Sequence, residues 1–193
     1  PSDVPEGAAS AVIGDLATPY NMAAALRDVD AVIHSAGIAH AMSGRPDDDY
    51  RTINTDATLA LARAAERAHV KRFVFLSSIR AQSGPVADGV LTEDDAPQPT
   101  DAYGRSKLEA ERGLSDLPID WVALRPVLVY GPGVKGNMAA LMSLARSPWP
   151  LPLGSLKSRR SMLALDNLAG AVDTVLRAPG TIRRPFIVAD PDP

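Results

Sequence analysis

Cysteine is absent from all 193 residues, which excludes a disulfide framework and a thiolate metal site and fits a reducing compartment. The three histidines, His34, His40 and His69, are too scattered to make a metal site. Neither sign of charge dominates. A formal net charge of −3 gives no global field for nucleic acid or for an anionic membrane, so any anion must be bound locally. No apolar run approaches the roughly 20 residues of a membrane helix, and Pro1-Ser2-Asp3 begins nothing like a signal peptide. The chain is therefore expected to be soluble and cytoplasmic, without a membrane or nucleic-acid partner. What is present is ordinary globular composition, 46% hydrophobic and 22% charged, enough for a well-buried core.

Short aliphatic runs alternate with longer helix-like segments, the pattern of a parallel sheet wrapped by helices. Strands are expected at Ala11–Ile13, Ala31–Ser35, Arg72–Ser77, Trp121–Tyr130 and Pro185–Val188. Helices are expected at Asn21–Arg27, Tyr50–Ala68, Ala102–Leu117, Met138–Arg146 and Asn167–Arg177. In the second helix Ala57, Leu61, Ala64, Ala65 and Ala68 form an apolar stripe that should pack on the sheet. Residues 83–101, rich in proline and acids, read as a long loop, a kind that is usually functional or mobile. Near residue 147 the sequence "SPWPLPLGSLKSRRS" replaces the strand–helix rhythm, so the chain divides into residues 1–146 and a smaller region, 147–193.

Gly131-Pro132-Gly133-Val134-Lys135-Gly136 matches G-x-G-x-x-G, the glycine loop that grips a dinucleotide's pyrophosphate. The match is superficial. No acid follows between Asp120 and Asp166 to hold a ribose, Pro132 removes an N–H, and the loop comes after four strand–helix units. It reads as a strand-to-helix turn.

Tyr103 and Lys107, in "TDAYGRSKLEAE", lie four apart and share one helical face, with Thr100 or Asp101 available as the N-cap. An ammonium beside a phenol stabilises the phenolate, which makes the pair an acid/base unit, although this spacing also arises by chance on amphipathic helices. Ser77-Ser78 end an apolar strand, where α/β sheets place ligands or where a hydroxyl simply caps a turn. "AVIHSAGIAH" runs into Ala36-Gly37, small enough for a flat ligand to lie against the backbone. Lys157, Arg159 and Arg160 form a basic cluster that suits nucleic acid, solvent or a diphosphate, and the acidic total charge disfavours the first.

"GDL" (14–16), "HSAG" (34–37), "NTDAT" (54–58), "FVFLSS" (73–78), "YGRSK" (103–107), "LRPVLVYGPG" (124–133) and "RRSMLALDNLAGAV" (159–172) occur in order over nearly the whole chain. Together they resemble the extended short-chain dehydrogenase/reductases, within them the NAD-dependent sugar-nucleotide epimerase/dehydratase group, with a leaning to UDP-hexose 4-epimerases and reductases of 4-keto UDP-N-acetylsugars. The resemblance implies a Rossmann-like, doubly wound parallel sheet with a small substrate-binding region, NAD or NADP as cofactor, a nucleotide-sugar substrate and a homodimer. It makes Tyr103 the acid/base, Lys107 its partner and the holder of the nicotinamide ribose, and Ser78 the hydroxyl partner that also meets substrate, with Ser77 second. It places Asp15 and Leu16 at the adenine, Ala36 and Gly37 along the cofactor, and Pro126 and Val127 beside the nicotinamide. Asn54 is either an amide bracing the site or a buried structural residue. Asn137 and Arg160 become substrate contacts, Arg160 on the diphosphate with Arg159 second, while Ser161 departs from the acid that follows this arginine in many relatives. Asp166 and Asn167 are expected to cap a helix.

The family's opening strand–glycine-loop–helix unit has no counterpart before Ala11, nor has its second strand, and the resemblance leads to the expectation that part of the substrate region is missing after Pro193. The chain is expected to be part of a larger enzyme or a truncated gene product. The competing expectation is a non-catalytic module that binds NAD(P) or a sugar nucleotide, or an inactive fragment.

Overall fold

A computed structural model of the protein describes residues 6–39, 46–87, 89–133, 143 and 160–191. Four parallel strands make the main sheet: β1 (Ala31–His34), β2 (Arg72–Leu76), β3 (Trp121–Pro126) and, at the far end of the chain, Arg184–Val188, in spatial order β1, β2, β3 and then that last strand. Strand alternation explains its two faces. Phe73 and Phe75 point to one side with Trp121 and Ala123, where Ala62, Ala65, Ala110 and Leu114 cover them. Val74, Val122 and Leu124 point to the other, against Ala171, Val172, Val175 and Leu176.

The helices are α1 (Met22–Ala25), α2 (Asp47–Tyr50), α3 (Ala57–Arg67), α4 (Ala102–Ser115) and α5 (Leu165–Arg177). Helices α3 and α4 cover one face of the sheet and α5 the other, so the expected α/β, doubly wound arrangement is observed. Between α2 and α3 the backbone winds as a π-turn, Arg51–Asp56, making one helical run from 47 to 67 where a plain helix was expected over Tyr50–Ala68. Alanines keep α3 slim. Helix α4 comes close beside it, and a Cβ on Gly113 would stand 2.6 Å from Leu59 Cδ1.

Two sequence expectations are corrected. Ala11–Ile13 is not a strand: the nearby backbone makes only a single antiparallel bridge, Gly14 to Pro19, because among the described residues no strand lies alongside to complete its hydrogen bonds. Trp121–Tyr130 is not one strand but two. Pro126 supplies no N–H, Val127 N turns to donate to Val188 O at 3.1 Å, and β4 (Leu128–Tyr130) leaves the sheet. It pairs in parallel with β5 (Met162–Ala164), a strand the sequence reading missed; the last strand of the main sheet, Arg184–Val188, is thus β6. The boundary at residue 147 and the helix expected at Met138–Arg146, Ser143 apart, lie outside the described residues.

Candidate active site

The carboxyl ends of β1, β2 and β3 lie along one edge of the sheet and bring Ala36–Gly37, Ser77–Ser78 and Pro126–Val127 to it. Helix α4 starts beside that edge. Its N-cap is Asp101, whose carboxylate accepts from Gly104 N at 2.7 Å, fixing where the first turn presents Tyr103.

Ser78 serves two partners. Its Oγ accepts from Arg80 N at 3.2 Å, capping the 3₁₀ turn Ile79–Ala81, and its hydroxyl acts on the Tyr103 phenol, drawing its pKa down. An oxygen that accepts from Arg80 N keeps one proton and one lone pair for the phenol or a ligand. Helix and turn approach so closely that a Cβ on residue 104 would sit 2.2 Å from Arg80 O, so only glycine fits there. Arg80 pairs with Asp101, and both charges act on Tyr103.

Lys107 is 4% exposed. Its Nζ donates to Leu76 O at 3.0 Å and rests 4.6 Å over the Phe75 ring. Burial brings its pKa down to about 8, with the Glu111 carboxylate opposing the fall. Tyr103 moves the other way from the sequence expectation. Burial holds the phenol above its usual range, the Ser78 hydrogen bond and Arg80 pull it down, and Asp101 adds to the rise. The Lys107 ammonium is turned to the strand end instead of toward the phenol, which is why it does not set the direction.

Asn54, in the π-turn and fully buried, braces this edge. Its amide exchanges two 2.9 Å bonds with Ile38 N and O and donates to Ser106 Oγ at 3.1 Å, so the turn after β1 is stitched to α4. The brace forces Gly37: at φ 154° a Cβ would stand 2.6 Å from Asn54 Oδ1. Thr58 donates to Asn54 O at 2.7 Å, which uses its only proton. The 2.9 Å contact between Thr58 Oγ1 and His34 Nε2 therefore has the imidazole as donor. His34 is buried and its pKa lies at about 4, through burial first and the charge of Lys107 second.

The remaining expected site residues are placed as follows. Asp15 is exposed and accepts from Ala17 N at 2.7 Å, with Leu16 half-buried next to it. Ala36 and Gly37 are exposed and Pro126 and Val127 half-buried. Arg160 is exposed just before β5, while Asn137, Lys157 and Arg159 lie outside the described residues. Ser77, the second-choice hydroxyl, is used elsewhere: it donates to Glu111 Oε1 at 2.5 Å. Asp166 and Asn167 lie inside α5, not at its cap, and Asn167 instead donates to Asp190 at 2.7 Å. Glu111, Arg125 and Gln82, a buried polar group behind the site, were not singled out in the sequence; an acid on the Tyr103–Lys107 stripe of α4 was the available signal.

This edge fits the nicotinamide end of a dinucleotide. Small residues leave the backbone open at Ala36–Gly37, and Lys107 has donors beyond the one given to Leu76 O. The pyrophosphate has no such fit: among the described residues no glycine turn opens directly onto a helix N-terminus.

The sequence model of the NAD dependent epimerase/dehydratase family matches residues 2–189. The chain belongs to this family. A UDP-glucose 4-epimerase of Vibrio cholerae is 36% identical over 187 residues, which are 92% of this chain and 57% of the relative. Among solved structures, MoeE5 in complex with UDP-glucuronic acid and NAD superposes with a TM-score of 0.72 at 28% identity, over 91% of this chain and 60% of that one. A short-chain dehydrogenase/reductase superfamily protein from Agrobacterium tumefaciens with bound NAD reaches 0.76 at 19% identity, over 96% and 67%, and shows the shared fold. The chain thus spans somewhat over half the length of the first two, and its NAD-dependent enzyme family and Rossmann-like fold are those the sequence motifs implied. No helix among the described residues is long and apolar enough to cross a membrane.

Proposed function

We propose that this chain carries the acid/base half of an NAD(P)-dependent enzyme that acts on C4 of a nucleotide-linked hexose, as an epimerase or a 4-keto reductase. The observation that carries the reading is the convergence on one sheet edge of Ser78 in its capped turn, Tyr103 in the first turn of α4 and a buried Lys107 donating to Leu76 O. NAD or NADP, when bound, supplies the acceptor or donor of hydride. The work of the chain is to move the proton. Tyr103 takes the proton of the sugar hydroxyl or returns it, and Ser78 beside it stabilises the phenolate with its one proton and keeps a lone pair to accept from substrate. Lys107 holds positive charge at the strand end and offers its remaining N–H groups to a ribose. Ala36, Gly37, Pro126 and Val127 line the cofactor, and Asp15 and Leu16 receive its adenine end. Asn137 and Arg160 contact the nucleotide diphosphate and sugar, where a guanidinium fork matches phosphate oxygens. Residues 147–193 supply part of this substrate region, next to a cofactor region in 1–146, in a cytoplasmic homodimer.

The test is turnover of UDP-glucose and UDP-N-acetylglucosamine by the full-length protein with NAD and NADP, and by its Tyr103→Phe variant. Turnover should fall by about 10²–10⁴-fold with nucleotide-sugar affinity within about twofold, because only the oxygen that moves the proton is removed. A variant as active as the parent refutes the role of Tyr103.

A further inference from the structure

Behind the site, the last residues of β2 and the residues after it grip α4 in a fixed pairing. Leu76 O accepts from Lys107, Ser77 Oγ donates to Glu111, and Ser78 meets Tyr103. Tyr103, Lys107 and Glu111 are spaced by fours and so form a single stripe of the helix. Glu111 is 4% exposed, and a second element closes on it: Arg125, near the end of β3, places Nε 3.1 Å from Oε1 and Nη2 2.5 Å from Oε2. Arg125 Nη1 donates to Gln82 Oε1, and Gln82 Nε2 donates to Asp95 O at 2.8 Å in the loop after the 3₁₀ turn.

A carboxylate and a guanidinium buried together give little net stability, since an apolar cluster of the same volume is often as stable or more so. An apolar cluster, however, puts no negative charge one helical turn from Lys107. The groups around that ammonium are few. Phe75 and Leu76 O lie on β2, His34 stands neutral on β1, Tyr103 and Glu111 share its helix, and Arg125 approaches only from behind Glu111. Glu111 is the one anion among them.

We propose that Glu111 is a positioning residue for the acid/base unit: held by Ser77 and Arg125, it keeps Lys107 charged and fixes α4 against the strand ends that carry Ser78 and Pro126. The inference rests on the acid/base reading of Tyr103 and Lys107 given above. The direction of the Lys107 titration agrees with it, because Glu111 works against the burial that lowers that pKa.

Lysine labelled with ¹³C at Cε reports the Lys107 titration directly, without need of substrate, once its resonance is assigned by its loss in Lys107→Arg. In full-length Glu111→Gln the Lys107 midpoint should fall by at least about one pH unit. The alkaline limb of kcat should move down with it, while KM stays within about twofold. Should Glu111→Gln leave Arg125 too costly to bury, the pair Glu111→Gln/Arg125→Leu removes both charges and must still lower the Lys107 midpoint. An unchanged midpoint in whichever of these variants folds overturns the proposal. If the full-length protein turns over no nucleotide sugar, the functional reading fails by itself, and the titration still decides whether Glu111 holds the charge on Lys107.

Discussion

Gly104 shows how much of the site depends on a missing side chain. With Arg80 O only 2.2 Å from where a Cβ would be, Gly104→Ala must push the Ile79–Ala81 turn away from α4, and Ser78 caps that turn. The expected outcome is a folded protein whose kcat drops by about 10–100-fold, since displacement of a reacting partner by an ångström costs about that much. Steady-state kinetics beside a urea titration separates this from unfolding, and unaltered kcat would show that the turn is free to give. That Tyr103, Lys107 and Ser78 come to one sheet edge was legible in the sequence because the spacing of four and the end of an apolar strand are local facts. The partners of Glu111 were not. Its bonds to Arg125 and Ser77 close across 14 and 34 residues, and no local pattern encodes which strand end will face which turn of a helix.

At the scale of elements, β2 and α4 could be read from apolar runs and helical periodicity, which are strong when an element is buried on one or two faces. The short ones could not. Whether three residues form a strand depends on a neighbour elsewhere in the chain, so Met162–Ala164 became β5 through Leu128–Tyr130, and Ala11–Ile13 stayed irregular. Helix α5 is held by its apolar face and, at its carboxyl end, by one polar side chain. Arg72 on β2 donates to Asp120, 2.7 Å away, and to Val175 O, Ala178 O and Gly180 O at the carboxyl end of α5, which satisfies carbonyls the helix cannot pair itself. Arg72→Met removes the cation from a buried pair and is expected to destabilise the protein by about 3–5 kcal/mol. A fall in the urea midpoint with little change in the spectrum of the sheet checks it; a midpoint equal to that of the parent would mean that α5 is held by its apolar contacts alone.

For the molecule as a whole, His34 makes stability depend on pH. Its folded pKa of about 4 lies below the ordinary 6.5, so between those values the unfolded chain binds more protons and stability rises with pH. The contribution is complete above 6.5 and is lost as pH falls toward 4. Between pH 7 and pH 5 the loss from this group is about 2 kcal/mol by linkage. Urea midpoints at the two pH values should show it, and His34→Asn should flatten the difference; an equally steep variant would assign the acid sensitivity to other groups. The order of strands has a consequence in time as well. Strand β3 is flanked in the finished sheet by β2, already synthesised, and by β6, which begins at Arg184. At about 5–20 residues per second the ribosome needs roughly 3–12 s to pass from one to the other. Through that interval the β6-facing edge of β3 has no partner, and Arg72 waits for carbonyls not yet made. The nascent protein is thus exposed to sticking to its neighbours for seconds, and a chaperone that shields a bare strand edge would find its target between residues 121 and 126.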